Sequence, residues 1–175
     1  MRKYAIATVI AALLVAALAS AVSATHVSAG YMSNNGTMVL TLGGRYDLNG
    51  GPAVEGSYSM MPGGFDVIAR YKHPIYKSSF VAGPVAEGKI TGNHVSADPA
   101  IGAGLYAERL GVGGLGLQGS LIFRQRLDSH VGGLVAGVGA KMALSDPLFL
   151  AVDASMGITG GVAGTSVSFG VGYQF

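Results

Sequence analysis

The sequence VAGTSVSFGVGYQF, at residues 162–175, decides the fold. Apolar residues, most of them large or aromatic, occupy every second position from Ala163 onwards, with Thr165 as the exception. Gly, Ser and Gln occupy the positions between them. Alternation with a period of two predicts a β-strand that lies between an apolar and a polar medium. We expect this strand to run to the aromatic Phe175, with no polar tail after it.

Nine further segments alternate in the same way and are separated by turn sequences rich in Gly, Asn, Asp and Pro. They cover residues 26–33, 37–48, 53–60, 65–72, 79–90, 100–109, 115–127, 131–144 and 148–159. The fifth segment contains Pro84, which cannot donate to a strand ladder, so we expect a bulge or an early strand end there. Residues 91–99 are predicted to form the longest connection.

The amino-terminal segment has the pattern of a secretory signal peptide. Arg2 and Lys3 precede an apolar run, and small residues follow it up to Ala24. We therefore assign residues 1–24 to a cleaved signal peptide and residues 25–175 to a single domain. The alternative is a helical membrane anchor, but the uninterrupted apolar core at residues 9–19 is short for a helical span.

The composition excludes several classes of function. Only 11% of the residues are charged, against about 25% in a soluble globular domain. The absence of cysteine excludes disulfides and thiolate chemistry. A net charge of +2 is too small and too scattered for nucleic-acid binding. We find no metal-ligand spacing and no phosphate-binding loop, so we expect no metal and no cofactor.

The terminal strand resembles the last strand of bacterial outer-membrane β-barrels. Ser168, Gly170, Tyr173 and Phe175 match the spacing of that family's assembly signal. The resemblance implies an all-β, transmembrane, antiparallel up-and-down β-barrel in the outer membrane of a Gram-negative cell, of a porin-like kind. It also implies contact with outer-membrane lipids and with the barrel-assembly machinery, and a monomer. The segments predict ten strands, with eight as the alternative if the Pro84 segment and a neighbour form a loop.

The alternation alone does not say which face points outwards, because a soluble barrel has the inverse arrangement. Two features favour the membrane barrel. The polar face is rich in Gly and Ser, as suits a crowded lumen. The aromatic residues also separate into two bands, as in the interfacial girdles of membrane barrels. The predicted upper band is Tyr31, Tyr58, Phe65 and Phe123, and the predicted periplasmic band is Tyr46, Tyr71, Phe80, Tyr173 and Phe175.

Charged residues on the polar face are predicted to face the lumen. They are Arg45, Asp47, Glu55, Asp66, Arg70, Lys72, Glu87, Lys89, Glu108, Arg124, Arg126, Lys141 and Asp153. One interpretation is a plug of ion pairs, since an unpaired buried charge is costly. The other is a narrow water-filled passage with a slight preference for anions. The expected role is therefore structural or that of a narrow pore, and the short outward turns argue against a large recognition surface.

Two alternative functions follow from other features. Some outer-membrane barrels that deacylate lipid A carry a His-x-Ser pair that faces lipid near the outer rim. This spacing occurs at His26-Val27-Ser28 and at His94-Val95-Ser96, in neither case with further features of that family. We therefore expect no catalytic residue, and keep a lipid A-modifying hydrolase as one alternative. A soluble periplasmic barrel that binds a small apolar ligand is the other.

Overall fold

The computed structural model describes residues 26–34, 36–48, 51–93, 95–112, 114–161 and 164–175. The predicted signal peptide lies outside the described residues. No described helix is long and apolar enough to cross a membrane. The strands are β1 (His26–Asn34), β2 (Thr37–Asp47), β3 (Ala53–Met61), β4 (Gly64–Lys72), β5 (Tyr76–Lys77), β6 (Val81–Asn93), β7 (Ala97–Val112), β8 (Leu115–Arg126), β9 (Gly132–Ser145), β10 (Leu148–Gly157) and β11 (Thr165–Gln174).

The sheet closes on itself. Neighbouring strands are antiparallel, β1 pairs with β11, and β4 pairs with β6 beyond the short β5. The two residues of β5 pair only with the first residues of β6, so β5 lies outside the ring. The remaining ten strands form a closed up-and-down barrel, which leaves no unpaired strand edge in a membrane. The predicted fold class and the count of ten strands are confirmed.

The two ends of the barrel differ in their connections. His26 pairs with Gln174, so both described chain ends lie at one end, which we call the terminal rim. Residues 48–52, 73–80, 113–114 and 146–147 connect strands at this rim. Residues 35–36, 62–63, 94–96, 127–131 and 158–164 connect them at the opposite end, the far rim. The far rim therefore consists mainly of short turns.

The apolar face of the strands points outwards. Side chains such as Leu105 and Val138, at mid-strand, are 66% and 64% exposed. Among the described strand residues, outward positions carry a single charged side chain, that of Arg109 near the terminal end of β7. An outer surface of this kind requires lipid around it. The arrangement is the inverse of a soluble ligand-binding barrel, and it is the feature that the sequence pattern alone leaves ambiguous.

Pro84 does not interrupt β6, contrary to the expectation of a bulge or an early end. It lies opposite Leu105 of β7 without a shift of register. Its carbonyl accepts a 3.0 Å hydrogen bond from the amide of His73, the residue that follows β4. Because the nitrogen and carbonyl of a strand residue point to the same side, the Pro84 nitrogen faces the place where β4 ends. The missing donor therefore falls just after the end of β4, and the pairing of β6 with β7 is kept.

The prediction that residues 91–99 form the longest connection is wrong. β6 continues to Asn93, β7 begins at Ala97, and Gly92 pairs with Ala97. The Asn93 Oδ1 accepts hydrogen bonds from the amides of Val95 and Ser96, both at 2.9 Å, and from the Ser96 hydroxyl at 3.3 Å. This Asx-type arrangement closes a tight turn. Residues 73–80, which include β5, form a longer connection at the terminal rim.

Candidate functional site

The candidate site is the lumen of the barrel. All thirteen charged residues predicted to face it lie at strand positions that alternate towards the interior. One row of laterally paired residues shows how these charges are arranged. Positive and negative side chains alternate along it, with one glycine between the last two. The row comprises Arg45, Glu55, Arg70, Glu87, Gly102 and Arg124 on β2, β3, β4, β6, β7 and β8.

A cluster of ion pairs lies near the terminal rim. The Arg45 Nη1 is 3.2 Å from Glu55 Oε1 and 2.8 Å from Glu108 Oε2. The Lys72 Nζ is 2.7 Å from the same Glu55 oxygen and also pairs with Glu108. Asp47 contacts the Arg45 Nε at 2.7 Å from the rim side. Because β2 and β7 are separated by β3, β4 and β6 in the ring, the Arg45–Glu108 pair reaches across the lumen.

A second cluster lies near mid-height around Glu87, whose side chain has no exposed surface. Its carboxylate accepts from the Arg70 Nε at 2.8 Å and from the Arg124 guanidinium at 2.7 Å. Arg124 is on β8 and Glu87 on β6, with Gly102 of β7 between them. A Cβ atom on Gly102 would lie 2.8 Å from Ile122 Cγ2 and 3.5 Å from Glu87 Cβ. The absence of a side chain at Gly102 leaves room for the bridge.

The remaining ion pairs lie towards the far rim. Asp66 is buried and contacts the Lys89 Nζ at 3.0 Å and the Thr91 hydroxyl at 2.8 Å. Arg126 pairs with Asp98 at 3.3 Å, where both side chains are partly exposed. Asp98 is a lumen residue that the sequence analysis missed, because the residues around it were taken as loop.

An apolar cluster completes this side of the interior. Val85, Tyr106 and Ile122 are buried against one another, with Ile122 only 1% exposed. The Lys72 Nζ lies 5.3 Å from the centre of the Tyr106 ring. Together with the ion pairs, this cluster fills the inner side of β2 to β7 and of the far-rim half of β8, which we call the charged wall.

The opposite side of the lumen carries small residues. We call it the hydroxyl wall and define it by Ser28, Ser120, Gly137, Ser155, Ser166 and Ser168. The Ser155 and Ser166 hydroxyls lie 2.8 Å apart. A cavity of about 790 Å³ runs along this wall, and residues of the charged wall line its other side, among them Arg45, Glu55 and Glu108. Its lining extends from Gln174 at the terminal rim to Met32 and Ser166 near the far rim, so the open space covers most of the height of the barrel.

Lys141 and Asp153, two of the predicted lumen residues, also face this cavity. None of the ion pairs among the described residues includes Lys141 or Asp153. The Lys141 Nζ lies 3.8 Å from the centre of the Phe149 ring and 3.4 Å from His26 Nδ1. Asp153 Oδ1 accepts a 2.5 Å hydrogen bond from Gln118 Nε2 across Gly139.

Phe149 was not predicted as a lumen residue. It is 3% exposed, and its ring meets that of His26 edge to face at 5.2 Å. The ring occupies the space that a side chain at Gly172 of β11 would need. The signal was present in the sequence, because Phe149 lies between Leu148 and Leu150, which fall on the opposite face of the strand, but the sequence analysis assigned Phe149 to neither face.

The aromatic residues of the predicted bands lie on the outward side of the strands or in the connections. Tyr31, Phe65 and Phe123 lie towards the far rim, and Tyr58 lies past the middle of β3 in the same direction. Phe169 of β11 lies next to Tyr31 in the register and belongs with them. Near the terminal rim lie Tyr46, Tyr71, Phe80, Tyr173 and Phe175.

The residues of the predicted assembly signal divide between the two faces of β11. Ser168 and Gly170 face the lumen, and Gly170 lies against the backbone of Ala29 and Gly30 of β1. Tyr173 and Phe175 are 44% and 70% exposed, with ring centres 5.0 Å apart. The strand that carries the predicted signal is thus the strand that closes the ring with β1.

The His26-Val27-Ser28 pair does not face lipid, and the His94-Val95-Ser96 pair falls partly outside the described residues. His26 and Ser28 point into the lumen at the terminal end of β1, and His26 contacts Phe149 and Lys141. His94 lies outside the described residues, and Ser96 donates to Asn93 in the turn between β6 and β7. In the described ranges, no group of three or more His, Asp or Glu side chains could hold a metal ion.

No protein-family model and no curated protein matches this sequence. Solved structures do. The NanC porin aligns with a TM-score of 0.53 and 8% identity, over 86% of this chain and 99% of that one. The KdgM porin aligns with a TM-score of 0.50 and 12% identity, over 86% and 99%. Omp33 of Acinetobacter baumannii gives 0.45 and 9%, over 87% and 98%. The NanC and KdgM alignments show that the chain has the fold of small outer-membrane porins, as the resemblance of its last strand predicted.

Proposed function

We propose that the protein is a monomeric, passive channel of the outer membrane that passes small hydrophilic solutes. The observation that carries this proposal is the cavity of about 790 Å³ along the hydroxyl wall, which extends over most of the height of the barrel. The outward apolar surface and the porin fold support a location in the outer membrane. With both described chain ends at one rim, the terminal rim is assigned to the periplasm.

The division of the lumen into two walls supports a passage in preference to a complete plug. The ion pairs and the apolar cluster lie on the charged wall, where they satisfy one another and hold six strands together. The six residues that define the hydroxyl wall are all Ser or Gly. Their small side chains leave the space in front of them open. Small hydroxyl side chains also replace the water contacts of a polar solute at low steric cost.

The same geometry supports a non-enzymatic role. The deacylating barrels carry their His-x-Ser pair towards lipid, whereas His26 and Ser28 face the lumen at the terminal end. No described catalytic arrangement competes with the passage as an explanation of the site.

Planar-bilayer conductance tests the proposal. In Ser155→Phe a phenyl ring enters the cavity from the hydroxyl wall, and we expect the single-channel conductance to fall several-fold. The neighbouring Met156 is 54% exposed on the outer face, so Met156→Phe is the matched control and should conduct like the unmodified protein. A folded barrel that conducts no ions, or equal conductance in both variants, would contradict a passage along this wall and leave the structural role.

A further inference from the structure

The charges of the charged wall cancel. Its ion pairs and those of the rims join six cations to six carboxylates. The side chains of Glu87, Lys72, Asp66 and Glu108 are at most 8% exposed. The charged residues of this wall that line the cavity are all in ion pairs, so the wall presents little unpaired charge to it. The charged wall therefore offers no net positive or negative surface that would attract a charged solute.

Four charged residues that line the cavity occur in none of the ion pairs among the described residues: the cations Lys141 and Arg109 and the anions Asp153 and Asp146. Arg109 lies at an outward strand position and Asp146 in the connection at residues 146–147, so Lys141 and Asp153 are the two at inward strand positions. Lys141 pairs with Ala151 in the register and Asp153 with Gly139, so the two side chains project from adjacent strands two positions apart. Gln118 occupies one oxygen of Asp153, which leaves the second oxygen as an acceptor. The ammonium of Lys141 rests on the Phe149 ring and keeps donors available.

These groups and the hydroxyl wall suit one class of solute. Serine hydroxyls both donate and accept, a carboxylate accepts and an ammonium donates. A solute hydroxyl also donates and accepts, so a polyhydroxylated molecule can replace its water contacts with each of these partners in turn.

We infer that the passage takes small uncharged polyhydroxylated solutes, such as polyols and monosaccharides, and that Asp153 and Lys141 hold them at the cavity wall. This inference rests on the proposed channel function. Asp153 accepts from solute hydroxyls through its free oxygen, and Lys141 donates to them. Since the two charges oppose each other, the passage has little preference between cations and anions.

Two measurements on reconstituted protein test the inference. Liposome swelling compares a neutral monosaccharide or polyol with a sugar acid of similar size, and the reversal potential in a potassium chloride gradient reports ion selectivity. We expect faster swelling with the neutral solute and a reversal potential near zero. Asp153→Asn should lower uptake of the neutral solute about three- to tenfold, as the weakening of one hydrogen bond implies. It should also shift the reversal potential towards anion preference.

Lys141→Met should lower uptake of the neutral solute as well and shift the reversal potential in the opposite direction. Asp128→Asn is the control, because Asp128 lies in the far-rim turn at residues 127–131 and does not line the cavity. A channel that conducts but strongly prefers one ion sign, or admits the sugar acid faster, would overturn this inference alone. A folded barrel that neither conducts nor permits swelling would overturn the channel proposal itself.

Discussion

At the scale of single residues, glycine enables charged and polar side chains to meet across an intervening strand. Arg124 reaches Glu87 over Gly102, and Gln118 reaches Asp153 over Gly139. In both cases the partners lie two strands apart, beyond the ordinary cross-strand neighbour. A barrel of this size has little interior volume, so a residue without a side chain is what leaves room for such a bridge.

Gly102→Val should destabilise the barrel. Its side chain would meet Ile122 Cγ2 and the Phe123 carbonyl oxygen, which lie 2.8 and 3.1 Å from the position of a Cβ. We expect the free energy of unfolding to fall by at least about 2 kcal/mol, from overpacking and from separation of Arg124 from buried Glu87. Because the chain has no Trp, urea unfolding in lipid vesicles is best followed by circular dichroism or heat-modifiable gel mobility.

Gly88→Val is the matched control, because a Cβ on Gly88 meets nothing within 4 Å on the outer face of β6. It should change the unfolding free energy by no more than about 0.5 kcal/mol. Equal stability of the two variants would show that the bridge over Gly102 adds nothing measurable.

The sequence predicts which face a residue occupies but not which residue it contacts. Period-two alternation assigns Arg45 and Glu108 to the same medium. Their contact across the lumen depends on the lateral register of five strands, and a single sequence does not contain that register. Phe149 was not predicted in the lumen for a related reason, since its ring fits there because Gly172 leaves space for it.

At the scale of elements, the strands were predictable because each carries its own alternation and is bounded by turn residues. The two errors concern local chemistry that alternation ignores. Pro84 is tolerated because β4 ends beside it, and the side chain of Asn93 closes a turn where a long loop was expected. Each depends on where a partner strand or a backbone amide lies, which follows from the fold.

A change at the end of the last strand should affect assembly in the cell without affecting the stability of the folded barrel. We predict that deletion of Phe175 strongly lowers the amount of protein in the outer membrane, through loss of recognition by the barrel-assembly machinery. Phe175 is 70% exposed and follows β11, so the unfolding free energy of protein refolded in vesicles should change by about 1 kcal/mol or less. Quantitative immunoblots of membrane fractions and urea titrations provide the two measurements.

Tyr76→Ala serves as a comparison, because Tyr76 is an exposed aromatic residue at the same rim. Its level in the outer membrane should stay normal. If removal of Phe175 and of Tyr76 affects export equally, the terminal residues carry no special signal.

At the scale of the whole molecule, the exterior of the barrel is apolar and its charges are inside. The alternating pattern alone is compatible with an apolar face that points outwards or inwards. The distribution of Gly, Ser and aromatic residues favoured the outward arrangement. The closed ring of ten strands then follows from the number of alternating segments. The division of the lumen into two walls could not be predicted, because it depends on how charged side chains gather around the ring.

A charge on the outer face should be costly according to its depth. Val138 lies in the middle of β9 and is 64% exposed. Val138→Arg should lower the unfolding free energy in lipid vesicles by about 2–4 kcal/mol, whereas Gln125→Arg, near the far rim, should lower it by about 0–1 kcal/mol. Urea titration of both variants checks the difference. Equal values would mean that Val138 does not lie in the hydrocarbon core.

The bridge over Gly102 also bears on how such a barrel can diverge. Outward positions can exchange one apolar residue for another singly, because lipid adapts to either. Glu87, Gly102 and Arg124 lie on three successive strands, and a change in any one of them removes the reason for the other two. Substitutions there are epistatic, so these three positions are expected to be inherited together or replaced together.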